Sequence, residues 1–323
     1  MEYQNTQTTA HTNIAFIKYW GKKDAQLNLP CTDSLSLTLD GYFTTTTSKF
    51  ISDNEDQIWL NGQRAPVGFF KRTQKFLDLC RQLNHCKQKI QIITTNHVPT
   101  AAGLASSASG FAALAGSLNK LFQMHLSRPQ LSCLARRGSG SAARSIYGGW
   151  VWWQQGSSDQ TSLAVPIDEH PQLPICLLSV VFNDQPKKIS STQGMERART
   201  TSPFYSCWPH IVANDLSAMK QAIATADLQQ IGQIAENNCL AMHALNWSAR
   251  PAFSYFTDAT WKLINLLQQW RQESQLVAYA TVDAGPNVKI ITQKNQVQQI
   301  QARVQHSFPQ AHTTILYPGS GIQ

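Results

Sequence analysis

The chain has 323 residues, 42% of them hydrophobic, and because single cores stop growing near ~250 residues, two domains are expected. Lys and Arg number 27 against 19 Asp and Glu, a net charge of +8, which favours anionic partners: phosphorylated metabolites, anionic lipid or nucleic acid. Seven widely spaced cysteines with no C-x-x-C pair argue against a disulfide framework or zinc knuckle and suit a reducing cytosol, no apolar run reaches the ~20 residues of a membrane span, and no cleaved address is expected at the N-terminus.

In chain order, the apolar stretch Ile14 to Ile17 runs into Lys18-Tyr19-Trp20-Gly21-Lys22-Lys23, where three cations and two aromatics fall in six residues. As a strand end, alternation sends Lys18, Trp20 and Lys22 to one side and Tyr19 and Lys23 to the other; an exposed basic turn over a packed Trp20 is the alternative. Ser34 to Leu39 alternates as a half-buried strand that continues through Thr44 to Thr47, with a turn near Asp40-Gly41. A helix is predicted over Phe69 to Asn84 and a strand over Lys89 to Thr95. Next comes the small-residue segment Asn96 to Gly110, leading into a helix striped by Phe111, Leu114, Ala115, Leu118, Leu121 and Phe122.

A second short loop, Arg137-Gly138-Ser139-Gly140-Ser141, opens onto a helical turn over Ala142 to Ile146, and Val151 to Trp153 resumes a strand. Composition shifts across Pro166 to Pro174, and the boundary is placed near residue 180. The second half reads as α+β. It holds a strand over Ile175 to Phe182, helical stripes at Leu228, Ile231, Ala235 and Met242 and at Trp261, Ile264 and Leu267, a final helix near Val297 to Val304, and strands over Val277 to Val282, Val288 to Thr292 and Thr313 to Tyr317.

Two loops carry anion-binding chemistry. Pro99 to Ser109 delivers backbone amides to a helix N-terminus, where unpaired N–H groups favour an anion such as a triphosphate. Gly103 allows close approach, while Ser106, Ser107 and Ser109 add hydroxyls and a candidate magnesium ligand; tight helix-on-sheet packing explains the same composition. Ser139-Gly140-Ser141 repeats the logic, with Arg144 one turn into the helix and able to swing back toward a bound anion. An ordinary solvated basic face of Arg136, Arg137 and Arg144 is the plain alternative. Asp283 ends a strand before Ala284-Gly285-Pro286-Asn287, where a carboxylate commonly accepts local backbone hydrogen bonds. The nine histidines show no H-E-x-x-H or other paired metal spacing.

Taken together, Asn13 to Lys22, Val98 to Ser109, Gly138 to Gly149 and Asp283 to Val288 resemble the signature of the mevalonate diphosphate decarboxylase family, in family order across nearly the whole chain. The resemblance implies an α+β, two-domain GHMP kinase fold. Residues 1–180 would form a ribosomal-protein-like, ATP-binding domain and residues 181–323 a ferredoxin-like domain, with the active site in the cleft between them. ATP would phosphorylate the tertiary hydroxyl of mevalonate 5-diphosphate, and loss of phosphate and CO2 would give isopentenyl diphosphate. By the same carry-over Asp283, Lys18 and Arg144 are catalytic, Arg144 contacting the substrate carboxylate. Tyr19, Lys22, Ser139, Gly140 and Ser141 hold the substrate, and Pro99, Gly103, Leu104, Ala105, Ser106, Ser107 and Ser109 hold ATP, with Ser107 the candidate ligand of Mg2+. A cytoplasmic homodimer without nucleic-acid or membrane partners is implied.

One stretch departs from the pattern: bacterial relatives often have Arg where Thr192 aligns, so Lys187 or Lys188 is a candidate replacement at the diphosphate. Two rivals share the nucleotide loop, a kinase that stops at the phosphoester and a decarboxylase of a monophosphate. A reading from another class, an RNA-binding module, requires a continuous basic surface away from the cleft.

Overall fold

The computed structural model describes residues 5–97, 106–182 and 188–323. The first half contains β1 (Thr6–Ile17), β2 (Lys22–Asp24), β3 (Leu29–Pro30), β4 (Ser34–Ile51), β5 (Gln57–Leu60), β6 (Gln63–Arg64), α1 (Val67–Leu83), β7 (Lys89–His97), α2 (Ser106–Leu121), α3 (Arg128–Gly138), a 3-10 turn at Gly140–Ile146, β8 (Trp150–Trp153) and β9 (Ala164–Asp168). β4 is the spine of the main sheet. One of its edges is taken by β1 along its length; the other is shared, β7 along 43–51 and β8 along 34–37. Threonines suit this position because branched side chains pack on a pleated surface: Thr44, Thr46 and Ser48 turn inward, and Thr46 bonds Thr94 across the strands at 2.8 Å.

Helix α2 packs across β1 and β4 through small residues, with Ala108, Ala112, Ala113 and Ala115 fully buried. The second half contains β10 (Ile175–Val181), α4 (Ser191–Thr201), α5 (Trp208–Ala224), α6 (Leu228–Trp247), α7 (Asp258–Ser274), β11 (Tyr279–Val282), β12 (Val288–Gln293), α8 (Val297–Ser307) and β13 (His312–Leu316). Its four strands form an antiparallel sheet in the order β11-β12-β10-β13. Alternate residues of β10 feed two cores, as period-two geometry requires. Leu178 and Val180 meet α7 and α8 through Leu263, Leu267, Ile300 and Val304. Ile175 and Leu177 share a core with Ile231, Ala235 and Met242 of α6 and with Ile14, Phe16, Leu35 and Leu37 of the first sheet. That core spans the two halves of the chain, and the C-terminal residues reinforce the join: Gln323 exchanges backbone hydrogen bonds with Thr9 at 2.9 and 3.1 Å.

Three expectations change. No turn interrupts Asp40-Gly41; β4 runs through them because β1 pairs on both sides, with its register shift between His11 and Asn13 absorbing the irregularity. Ser34 to Leu39 is buried on both faces, with Ser34, Ser36 and Thr38 inside against the 3-10 turn, because α5 and α6 together cover the other face of β4 and β1. A division at residue 180 falls within β10, which is hydrogen-bonded into the second sheet.

Candidate active site

β1 ends at Ile17, so strand alternation does not extend through Lys18 to Lys22. The chain instead bends at Gly21, whose φ of +118° and 1.8 Å approach of the Tyr205 hydroxyl to a built Cβ leave no room for a side chain. The bend leaves Lys18 inside the molecule. Its side chain, 2% exposed, donates from Nζ to Asp283 Oδ1 at 2.7 Å. Asp283 directly follows β11 at the start of the turn into β12; its backbone carbonyl accepts from Gly285 N–H, and its carboxylate takes the lysine rather than a local amide. Burial pushes the Asp283 carboxyl up, but Lys18, Lys289 and Arg144 outweigh it and hold the group below its ordinary value. The acid is ionised at neutral pH.

Arg144 lies in the 3-10 turn, 2% exposed. It is neither on a solvated face nor free to swing. Nε donates to Asn13 Oδ1 at 3.2 Å, Nη1 to Ser34 Oγ at 2.6 Å, and the guanidinium lies 5.7 Å from the Trp153 ring centroid. Burial lowers its pKa to about 10 against the opposing pull of Asp283 and Tyr19, so it stays charged at neutral pH. Arg136 and Arg137 are paired with Asp159, which removes them from any solvated basic face.

The second loop is built against Tyr19. That ring packs on Trp153 at 4.8 Å, and its hydroxyl lies so close to Gly140 that a Cβ there would sit 2.8 Å away. Among the described residues the Tyr19 hydroxyl has no hydrogen-bond partner. Lys22 reaches the same region, donating to Asn28 Oδ1 at 2.7 Å, while Asn28 bonds the carbonyls of Arg136 and Arg137 at the end of α3. Burial and Arg72 lower the Lys22 pKa.

Ser139 joins the two loops. Its Oγ is 3.2 Å from Ser107 Oγ, at the start of α2, and 3.4 Å from Ser141 Oγ. Pro99, Gly103, Leu104 and Ala105 lie outside the described residues. Ser106 begins α2, and the first turn of that helix carries no acidic residue, as an anion site requires. Ser109 is not presented to the cleft: it is fully buried and bonded to Thr44 at 2.8 Å and Thr12 at 3.3 Å, tying helix to sheet. No group of three or more His, Cys, Asp or Glu among the described residues could hold a metal.

Thr192 is exposed in the first turn of α4, Lys188 is exposed just before it, and Lys187 lies outside the described residues. Sequence reasoning overlooked Asn13, which accepts from Arg144 and donates to Ser141 O at 3.1 Å and Ser145 Oγ at 2.8 Å. It also overlooked Lys289, a fully buried cation acting on Asp283. Each is a polar residue next to an apolar strand run, a signal that a buried partner is needed.

Residues 10–164 match the model of the diphosphomevalonate decarboxylase-like N-terminal domain, and residues 177–319 that of the mevalonate 5-diphosphate decarboxylase C-terminal domain. The diphosphomevalonate decarboxylase of Ganoderma lucidum is 38% identical over 99% of this chain and 87% of its own, and the human one is 37% identical over 93% and 80%. Among solved structures, the Enterococcus faecalis mevalonate diphosphate decarboxylase superposes with a TM-score of 0.94 at 40% identity, covering 99% of this chain and 98% of that one. A structure described as MDDEF in complex with MVAPP, AMPPCP and magnesium gives a TM-score of 0.95 at 41% identity over the same shares. With the two domain models matched in order and whole-length relatives on both counts, the chain belongs to the diphosphomevalonate decarboxylase family.

Proposed function

We propose that the protein converts mevalonate 5-diphosphate to isopentenyl diphosphate at the expense of ATP, releasing ADP, phosphate and CO2. The observation that carries this reading is the Lys18–Asp283 pair, in which the two halves of the chain meet at 2.7 Å with Arg144 fixed nearby. Lys18 occupies Oδ1, and Oδ2 takes no hydrogen bond from the described residues. That oxygen is the one that accepts the proton of the tertiary 3-hydroxyl while the hydroxyl oxygen bonds to the γ-phosphorus. ADP leaves with the electrons of the broken phosphorus–oxygen bond. The phosphorylated C3–O bond then breaks, the carbon–carbon bond to the carboxylate supplies electrons for the alkene, and CO2 departs.

Arg144 aligns that carboxylate, and its anchoring by Asn13 and Ser34 means that no rotamer freedom is lost when it does so. Tyr19, Lys22 and the Ser139–Ser141 loop hold the diphosphate. When bound, magnesium neutralises charge on the transferred phosphoryl group. Ser107 and the amides at the start of α2 orient the nucleotide beside it.

The test is product analysis. Purified protein with mevalonate 5-diphosphate and Mg-ATP is expected to release ADP, phosphate and CO2 in equal amounts. ADP without CO2 selects the kinase that stops at the phosphoester, and faster turnover of the monophosphate overturns the substrate assignment. The reading extends to a homodimer in the cytoplasm. The described cysteines are all free, and no described helix is long and apolar enough to cross a membrane. A sedimentation experiment giving monomer mass would remove the dimer.

A further inference from the structure

Lys18 and Asp283 lie 265 positions apart in sequence, and each enters the pair from a loop or strand end. We infer that helix α6 sets the distance between them, and that Asn238 and His243 are positioning residues, the first for Lys18 and the second for Asp283. The inference rests on the function proposed above.

Asn238 is fully buried, and its Oδ1 accepts the backbone N–H of Lys18 at 2.8 Å. Its amide cannot turn over without loss, because Nδ2 donates to Asp215 Oδ2 on α5 at 2.8 Å. One turn later the same helix grips the residue before the acid. His243 Nε2 lies 3.2 Å from the carbonyl of Val282, and Cys239 Sγ takes the Val282 N–H at 3.1 Å and lies 3.3 Å from the same carbonyl. Since a carbonyl only accepts, Nε2 of His243 carries the proton. Further along, Asn246 Oδ1 accepts from Trp20 Nε1 at 3.0 Å, fastening the bend after Lys18. At about 100° per residue these side chains fall within an arc of roughly 140° on one face. A single rigid element therefore touches the backbone on both sides of the ion pair.

Packing alone does not account for His243. Its ring is wedged against Phe256 at 4.2 Å, yet Nδ1 has no partner among the described residues, and an apolar side chain of equal size would avoid that unsatisfied nitrogen. What the imidazole adds is a strong N–H donor to a carbonyl that otherwise has only the weak Cys239 thiol on α6. Burial lowers its pKa to about 3, so the donor is a neutral ring that brings no second charge near Lys18 and Asp283.

The experiment compares His243→Leu, His243→Gln and Asn238→Ala with wild type. Wild-type turnover, followed as ADP and CO2, tests the decarboxylase reading; the variants' kcat relative to it tests this one. His243→Leu keeps the volume and loses the donor, and kcat is expected to fall about ten- to a hundredfold with both KM values within about threefold. His243→Gln, whose amide reaches the same carbonyl, is expected to recover most of that kcat. Asn238→Ala is expected to lose kcat in the same manner, and it carries the test should His243→Leu fail to fold. In the Asp283→Asn background the His243→Leu effect is expected to shrink to about twofold or less in single turnover, because the residue acts through the acid. Wild-type kcat in folded His243→Leu and Asn238→Ala, or losses that multiply fully with Asp283→Asn, overturns the inference.

Discussion

At the scale of single residues, the site turns on which charge state each buried group keeps. Asp283 is buried enough for desolvation to favour its neutral form, and only the surrounding cations reverse that outcome. With a pKa below the ordinary carboxylate value, the Asp283 carboxylate stays ionised as the pH falls, until the medium is more acid than that value. Replacing Lys18 by Met removes the largest of the cationic influences and leaves burial in place, with Lys289 and Arg144 as the remaining counterweights. The Asp283 pKa then rises. In a kcat–pH profile the acid limb of Lys18→Met is expected to move to higher pH by about one unit or more relative to wild type. An unmoved limb would show that Lys18 does not hold the charge of the acid. The pairing of these two residues was legible in sequence only through the family motifs, because nothing local links a strand end with a turn so far away. Asn13 and Lys289 were visible as oddities in apolar runs, but their partners exist only once β1 and β12 are folded against the 3-10 turn and β11.

At the scale of elements, the role proposed for the second loop depends on its bare backbone. Gly140 sits against Tyr19, and Tyr19 is held by Trp153, so a methyl group at 140 meets a ring that has little room to retreat. Gly140→Ala is expected to raise KM for the diphosphate substrate about tenfold or more while leaving KM for Mg-ATP within about threefold, measured by varying one substrate at saturation of the other. Equal effects on both would place the loop outside the diphosphate site. Long periodic segments such as α1, α2 and α6 were legible because their apolar stripes persist for several turns. Helix α3 was not: it runs Arg128–Gly138, and polar and basic residues outnumber its buried leucines, so its helical character rests on the Ser127–Gln130 capping box and on packing against α1 and α2. The turn expected at Asp40-Gly41 failed for a related reason. Gly next to Asp signals a turn in isolation, yet pairing with β1 on both sides carries the strand through.

At the scale of the whole molecule, the two domains share a core as well as the Lys18–Asp283 pair. A core containing Ile14, Phe16, Leu35 and Leu37 with Ile231, Ala235 and Met242 crosses the join, and the C-terminal residue is hydrogen-bonded to β1. In the function proposed above, this construction lets the first half hold nucleotide and diphosphate while the second supplies the acid. Composition predicted two units but not their interlocking, since the apolar faces of α6 and β1 are each legible and their mating is not. The most direct measurement is a single-turnover burst with Asp283→Asn. The variant is expected to bind Mg-nucleotide and mevalonate 5-diphosphate as wild type does, yet to form ADP about a thousandfold more slowly or less, with no CO2. An ADP burst at the wild-type rate would contradict the account.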